Sequence, residues 1–150
     1  MLGGASALLL AGCGKVPVRT LAGDPRDVRV LAAAIEVERT QVAVYEAGVA
    51  LGGGPLVGTI LAHERAHLAA LEELVRELGT QPAAARAAAD YRRGIPGSLR
   101  EWRRHAIRSE ELWSAGYAAL IPKLVNPRLR STFGALMTTE AEHAAALDLA

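Results

Sequence analysis

The sequence contains one cysteine, few aromatic residues and almost no net charge. Cys13 has no second cysteine to pair with, which excludes an internal disulfide framework. The formal net charge of +1, from 17 Lys and Arg against 16 Asp and Glu, gives no electrostatic case for binding nucleic acid. Beyond the N-terminal region, no apolar run is long enough to span a membrane.

The composition favours helices. Alanine, which has the highest intrinsic helix propensity, is abundant, whereas aromatic residues make up only 4% of the chain and β-branched residues are scattered. A chain of 150 residues is the size of one domain with a sizeable core. We therefore expect a single all-α domain.

A short apolar run precedes the sequence Leu10-Ala11-Gly12-Cys13-Gly14. This region resembles a bacterial lipoprotein signal, in which cleavage before the cysteine leaves Cys13 as a lipid-modified N-terminus. Only twelve residues precede Cys13 and none is Lys or Arg, so we expect translation to start further upstream. The resemblance implies a shortened signal at 1–12, a tether at 13–23, and a lipid anchor on the extracytoplasmic side of the membrane. An ordinary apolar N-terminus on a cytoplasmic protein is the alternative.

Proline and glycine divide residues 24–150 into four predicted helices. Pro is favoured at the first position of a helix and Gly just beyond its end, and Asp, Ser and Asn are favoured N-caps. Pro122 lies near the end of the third helix and is expected to bend or fray it. The predicted helices run from Asp24 to about Leu51, from the break at Gly52–Pro55 to about Leu78, from Ser98 to Val125, and from Asn126 to the C-terminus.

The connection lengths predict how these helices are arranged. The first and third connections are short, so each joins antiparallel neighbours. The middle one, Thr80–Gly97, can stretch about 60 Å, whereas a helix of about 25 residues is only about 38 Å long. Two antiparallel pairs joined by one long crossover make a four-helix bundle.

A carboxylate interrupts the apolar stripe of each predicted helix near its middle, and in the second and fourth helices a histidine follows one turn later. Burying unpaired carboxylates is unfavourable, and four that converge would repel each other. Two divalent metal ions would remove this conflict, so the pattern predicts a dinuclear site. The residues are Glu38, Glu64 with His67, Glu110, and Glu140 with His143.

The two halves of the chain also repeat each other, because each contains one E-x-x-H motif and one glutamate that a tyrosine follows seven residues later. Seven residues are about two helical turns, so we expect each tyrosine to lie on the same face as the glutamate of its own helix. The pairs are Glu38 with Tyr45 and Glu110 with Tyr117.

The ordered set Glu, E-x-x-H, Glu, E-x-x-H resembles the ferritin-like family of di-iron carboxylate bundles. The resemblance covers Asp24 to Ala150, and is carried by IEVERTQVAVYEAG, LAHERAHLAALEELVRELGTQP and TTEAEHAAALDLA. It implies a ferritin-like bundle with two Fe or Mn ions, although Zn can occupy such sites. The implied chemistry is iron(II) oxidation, peroxide reduction or O₂ activation. A homodimer through an exposed bundle face is compatible with it.

The resemblance also implies roles for individual residues. Tyr45 and Tyr117 would lie near the metals as hydrogen-bond partners or redox-active neighbours, and the alternative is core packing with a satisfied hydroxyl. Without a rubredoxin-like cysteine pair, the electrons would come from outside the chain. The implied metal ligands are Glu38 and Glu110 in terminal positions, Glu64 and Glu140 as bridges, and His67 and His143 on one metal each.

Three other glutamates, Glu36, Glu111 and Glu142, lie close to these residues, and a shifted helical register could exchange some of them. Glu111 is a rival of Glu110, because successive helical residues are only about 100° apart. The spacing to Tyr117 favours Glu110. Glu36 is two residues from Glu38 and should face elsewhere.

The segment His63–His67 also matches H-E-x-x-H, the zinc-hydrolase signature. Such a site needs a third protein ligand from another part of the chain, and no extended H-E-x-x-H motif follows. Thr139 occupies the position of His63 in the fourth helix, so His63 is dispensable to the repeated pattern. We expect it to be partly exposed or to support a ligand. A zinc hydrolase remains as a remote alternative.

A non-enzymatic envelope lipoprotein is the other alternative. Its bundle would be a structural or interaction module, and the polar core would be retained for fold specificity. Metal content distinguishes this alternative from the dinuclear site.

Overall fold

The structure, a computed structural model, describes residues 23–150 and is all-α over that range. The predicted signal and lipidation site at Cys13 lie outside the described residues. None of the described helices is long and apolar enough to cross a membrane. The helices are α1 Pro25–Ala50, α2 Gly54–Glu77, α3 Ala88–Tyr91, α4 Leu99–Leu120 and α5 Pro127–Leu149, with a 3₁₀ turn at Ile121–Lys123.

The starts of three long helices follow from their capping residues. The side chains of Asp24, Ser98 and Asn126 each accept a hydrogen bond from a backbone N–H two or three residues later. Such bonds satisfy N–H groups that have no partner inside the helix. The predicted starts of α1, α4 and α5 are confirmed.

One predicted boundary changes in the structure. The third predicted helix, drawn as far as Val125, ends at Leu120, and the 3₁₀ turn that follows contains Pro122. Proline lacks the N–H that would continue the helix. The buried carboxylate of Asp27 accepts backbone N–H groups of Val125 and Asn126, both at 2.9 Å, which fixes the turn against α1.

The crossover contains a short helix, α3, that was not predicted. The hydroxyl of Tyr91 in α3 contacts both oxygens of Glu36 at 3.1 and 3.2 Å, and Arg86 reaches the same carboxylate at 2.9 Å. Glu36 therefore faces the crossover and not the centre of the bundle, as expected. These contacts hold the crossover against α1.

The core consists of two apolar clusters with a polar layer between them. The short loops fold α2 back along α1 and α5 back along α4, so the crossover runs the length of the bundle. One cluster lies near the start of α1 and the other near its end. The first cluster includes Leu31, Leu71, Leu129 and Phe133, and the second includes Val44, Ile60, Trp102 and Leu147.

Trp102 on α4 is a core residue, whereas Leu99, at the start of the same helix, is 40% exposed. The indole Nε1 of Trp102 donates to the carbonyl oxygen of Val44 at 2.7 Å. Gly48 makes room for this ring, because a Cβ there would lie 2.2 Å from the indole. Trp102 also packs edge-on against Tyr45, with ring centroids 5.8 Å apart. The second cluster therefore packs against Tyr45, whose hydroxyl lies beside the polar layer.

Candidate metal centre

The polar layer contains four glutamates that are completely buried. Glu38, Glu64, Glu110 and Glu140 each have 0% relative exposure, although they come from four different helices. The helical period places each on the inner face of its helix, midway between the apolar clusters. The predicted carboxylates therefore converge in the structure.

The glutamates and two histidines form two groups that can hold metal ions. Glu64 and Glu140 belong to both groups, Glu38 and His67 to one, and Glu110 and His143 to the other. In each group one ligand atom per residue lies within 4.8 Å of every other. We call them the His67 group (Glu38, Glu64, His67, Glu140) and the His143 group (Glu64, Glu110, Glu140, His143).

The Nδ1 atom of each imidazole points into the carboxylates. Nδ1 of His67 lies 3.4 Å from Glu140 and 3.7 Å from Glu38. Nδ1 of His143 lies 3.0 Å from Glu64 and 3.7 Å from Glu110. Each ring therefore turns the same nitrogen towards the shared glutamates and the terminal glutamate of its own group.

These ligand atoms lack hydrogen-bond partners despite their burial. Among the described residues, nine buried side-chain nitrogen and oxygen atoms are unpaired, and eight belong to the six residues of the two groups. The distances around Nδ1 are short enough for charge attraction, but the angles do not make hydrogen bonds. Buried polar atoms are almost always paired, so such a cluster is typical of a site that binds an ion or water. Carboxylate oxygens and imidazole nitrogens facing common centres fit metal ions.

In the metal-free protein, the pKa values of several groups in the polar layer are raised, which favours their protonated forms. Burial alone lowers the pKa of His67, but the carboxylates, Glu140 first, outweigh burial and raise it to about 12. Burial is likewise outweighed at His143, where Glu110 contributes most and the pKa rises to about 11. Burial, reinforced by neighbouring carboxylates, raises the pKa values of Glu38 and Glu110. A metal ion must therefore displace protons to bind here.

Comparison with known proteins agrees with this architecture. The family of ferritin-like domains matches residues 26–150. The chain belongs to this family. A solved structure of a conserved hypothetical protein, rv2844, from Mycobacterium tuberculosis has the same fold, with a TM-score of 0.72 and 21% sequence identity over 83% of this chain and 96% of that chain. No curated protein matches the chain.

In this ferritin-like domain each tyrosine pairs with the glutamate of the other half. The hydroxyl of Tyr45 donates to Glu110, and that of Tyr117 donates to Glu38. Burial, together with the carboxylate that each hydroxyl contacts, raises the pKa of both tyrosines well above the ordinary value, so the hydroxyls keep their protons. The expectation that both tyrosines lie beside the site is met, but the partners are exchanged between helices.

The other glutamates that were candidate metal ligands in this ferritin-like domain lie outside the polar layer. Glu111 is exposed and lines a groove between α4 and α5, and Glu142 is also exposed. Neither belongs to a ligand group among the described residues. His105 is half-buried on α4 and is also outside both groups. The structure therefore places Glu110, and not its neighbour, among the converging carboxylates.

His63 does not join His67 around a common centre, as a zinc hydrolase would require. It belongs to neither group, and its Nδ1 lies 3.0 Å from Nε2 of His143. His63 is exposed and contacts a histidine of the His143 group, in line with the expectation that it is partly exposed or supports a ligand. The identity of its partner was not predicted, because Thr139 stands at the equivalent position in the other half of the sequence.

Gln41 was also missed. It is fully buried on α1 and accepts a hydrogen bond from Ser109 at 2.6 Å, while its amide nitrogen lacks a partner. Gln41 has no part in the pattern of Glu, Tyr and E-x-x-H that the two halves repeat, so the sequence held no signal for its burial.

Proposed function

We propose that this ferritin-like domain binds two Fe or Mn ions, one in each group, and uses them in redox chemistry. The observation that carries the proposal is the set of eight unpaired ligand atoms on six buried or half-buried side chains. Glu64 and Glu140, which belong to both groups, would bridge the ions, whereas Glu38 and Glu110 would be terminal ligands.

The charge and the donor types favour this occupancy. Four ionised glutamates carry four negative charges, which two divalent cations neutralise. One imidazole and several carboxylate oxygens for each ion suit iron or manganese. Two such ions would supply electron-transfer chemistry for iron(II) oxidation or for the reduction of O₂ or peroxide.

The protein side chains would hold the reacting centre and exclude bulk water. Tyr45 and Tyr117 fix the orientation of the two terminal glutamates across the bundle. The apolar clusters above and below the polar layer close it off along the bundle axis. The half-buried side chain of His67 is 14% exposed, which makes its side of the layer the more accessible to small molecules.

We also propose that the domain works at the cell envelope. The support is the lipoprotein-like sequence around Cys13, which would tether the bundle to the outer side of the cytoplasmic membrane. Iron(II), O₂ and peroxide all reach proteins in that location.

Metal analysis tests the proposal. The Cys13→Ser protein is purified without air, reconstituted with iron(II) or manganese(II), and compared with a variant that also carries Glu64→Gln and Glu140→Gln. About two ions per chain are expected in the first protein and none in the second. The matched control is Glu111→Gln, which removes an exposed carboxylate and should keep both ions.

Exposure to oxidant then distinguishes redox chemistry from a structural metal. The iron(II)-loaded protein should develop ultraviolet absorption of iron(III) carboxylates on addition of O₂ or peroxide, and the double glutamine variant should not. A protein that folds but binds no metal would instead support the non-enzymatic interaction module. Bound metal with no oxidant-dependent change would identify a structural centre.

A further inference from the structure

The His67 group and the His143 group differ in the residues that surround them. The E-x-x-H motifs of α2 and α5 are equivalent, but His63 precedes the first motif and Thr139 precedes the second. The hydroxyl of Thr139 donates to the backbone carbonyl of Ala135 in its own helix at 3.1 Å. His63 instead contacts His143, the histidine of the opposite motif, so within the described part of the chain His143 has an imidazole as hydrogen-bond partner and His67 does not.

The contact between His63 and His143 is a directed hydrogen bond. Nδ1 of His63 and Nε2 of His143 are 3.0 Å apart, the ring planes differ by only 22°, and the ring centroids are 5.3 Å apart. The two rings therefore meet edge to edge along the line between these nitrogens. The opposite side of the His143 ring presents Nδ1 to the carboxylates, 3.0 Å from Glu64.

With a metal ion on Nδ1, this geometry would set both the tautomer and the orientation of His143. A neutral imidazole that offers its Nδ1 lone pair to a metal carries its proton on Nε2. In His143 that N–H would donate to Nδ1 of His63. Hydrogen bonds on the outer nitrogen of a ligand histidine commonly set metal affinity, and their loss costs about 10- to 100-fold.

We propose that His63 is a positioning residue that makes the His143 group the tighter metal site, so that it fills before the His67 group. This inference rests on the proposed function, because it requires that both groups bind metal. Among residues 23–150, His67 has no such imidazole hydrogen bond, and its side chain is 14% exposed against 5% for His143. The metal at His67 would then be the more readily exchanged of the two.

Titration with cobalt(II) tests the inference without any catalytic assay. Cobalt(II) prefers the same nitrogen and oxygen donors and reports each binding event through its visible absorption. The full-length chain should bind two ions in two phases. His143→Ala should remove the tighter phase and His67→Ala the weaker one.

The variants at His63 provide the decisive comparison. His63→Ala should weaken the tighter phase about 10-fold or more, so that the two phases merge. His63→Asn should largely restore it, since the Asn side-chain oxygen can occupy the position of Nδ1 and accept the same hydrogen bond. His105→Ala, which removes a histidine remote from both groups, should titrate like the unmodified chain.

The outcomes separate the two proposals. If the unmodified chain and His63→Ala bind two ions with the same pair of affinities, the role of His63 is wrong while the dinuclear site stands. If His67→Ala removes the tighter phase, the order of filling is wrong. If the unmodified chain binds no cobalt(II), iron(II) or manganese(II), the proposed function is wrong and the role of His63 fails with it.

Discussion

The hydroxyl of Tyr45 on α1 donates a hydrogen bond to Glu110 on α4. The reciprocal bond runs from Tyr117 on α4 to Glu38 on α1. Each half of the bundle therefore holds a buried carboxylate of the other half, and α1 and α4 are joined by a pair of equivalent buried hydrogen bonds.

Removing either hydroxyl should destabilise the protein by a similar amount. Tyr45→Phe and Tyr117→Phe each leave a buried carboxylate without its donor, which costs about 1–3 kcal/mol in the free energy of unfolding. Urea denaturation of the metal-free protein measures this loss. Tyr91→Phe is a useful comparison, because its hydroxyl contacts the half-exposed Glu36 and should matter less. Unchanged stability in both core variants would contradict the reciprocal arrangement.

The stability of the metal-free protein should fall as the pH rises. The pKa values of His67 and His143 are raised to about 12 and about 11, so the folded state binds these protons more tightly than the unfolded state. Their contribution is complete below about pH 6.5 and is lost progressively above it. The raised carboxyl pKa values of Glu38 and Glu110 act in the same direction from lower pH. We expect the melting temperature to decline between about pH 6 and about pH 9.

Bound metal should oppose this loss of stability at higher pH. The ions compete with protons for the same atoms, so metal binding and the stabilisation that it gives increase with pH. Calorimetry with and without manganese(II) should therefore show a difference in melting temperature that widens from about pH 6 to about pH 8. A difference that narrows as the pH rises would contradict the displacement of protons by metal.

Glu110→Gln should stabilise the metal-free protein while it impairs metal binding. Burial raises the pKa of Glu110, so folding near pH 8 requires this carboxyl to take up a proton. A glutamine needs none and can still accept the hydrogen bond of Tyr45. We expect a higher free energy of unfolding near pH 8, with loss of the ion in the His143 group. Glu111→Gln, one residue away and exposed, should change neither quantity.

Gly48→Ala should destabilise the bundle although alanine is the better helix former. The added Cβ would lie 2.2 Å from Trp102, and overpacking of this kind costs about 1–3 kcal/mol. Gly58→Ala on α2 is the matched control, because its Cβ would meet nothing within 4 Å. That variant should gain about 0.5–1 kcal/mol from helix propensity. Thermal denaturation of the two variants should therefore shift in opposite directions.

The proposed lipidation of Cys13 can be tested by where the protein is found in the cell. In the cells that produce it, the protein should sediment with membranes and be released by detergent, whereas Cys13→Ser should be recovered in the soluble fraction. Mass spectrometry of the N-terminal peptide would show the lipid directly. An unmodified Cys13 in a soluble protein would favour the cytoplasmic alternative.

Much of the fold follows from local signals in the sequence. Asp24, Ser98 and Asn126 mark helix starts because their side chains satisfy free N–H groups. The length of the connection at 80–97 requires a crossover. Glutamates and histidines at helical spacing converge because the fold aligns the inner faces of four helices. Ligand grouping is therefore predictable once the bundle is recognised.

The remaining features depend on which helices are neighbours. Tyr45 lies on the same side of α1 as Glu38, yet its hydroxyl contacts Glu110 on α4. The sequence of α1 alone does not show which neighbouring helix the hydroxyl will reach. The bond from His63 to His143 likewise depends on the approach of α2 to α5. The helix α3 is too short to be stable alone, and the contacts of Tyr91 with Glu36 supply its stability.

The polar layer divides the apolar core into two clusters, which has a consequence for the way the bundle opens. Helical bundles ordinarily fray from their ends, where packing is thinnest. In this domain the metal-free layer at mid-height is the least favourable part of the interior, so amide hydrogens near Glu38 and Glu110 should exchange faster than those in the clusters on either side. Bound metal ions would reverse this order of exchange rates. The slowest-exchanging amides of the metal-bound protein would then lie in the polar layer, which opens first in the metal-free protein.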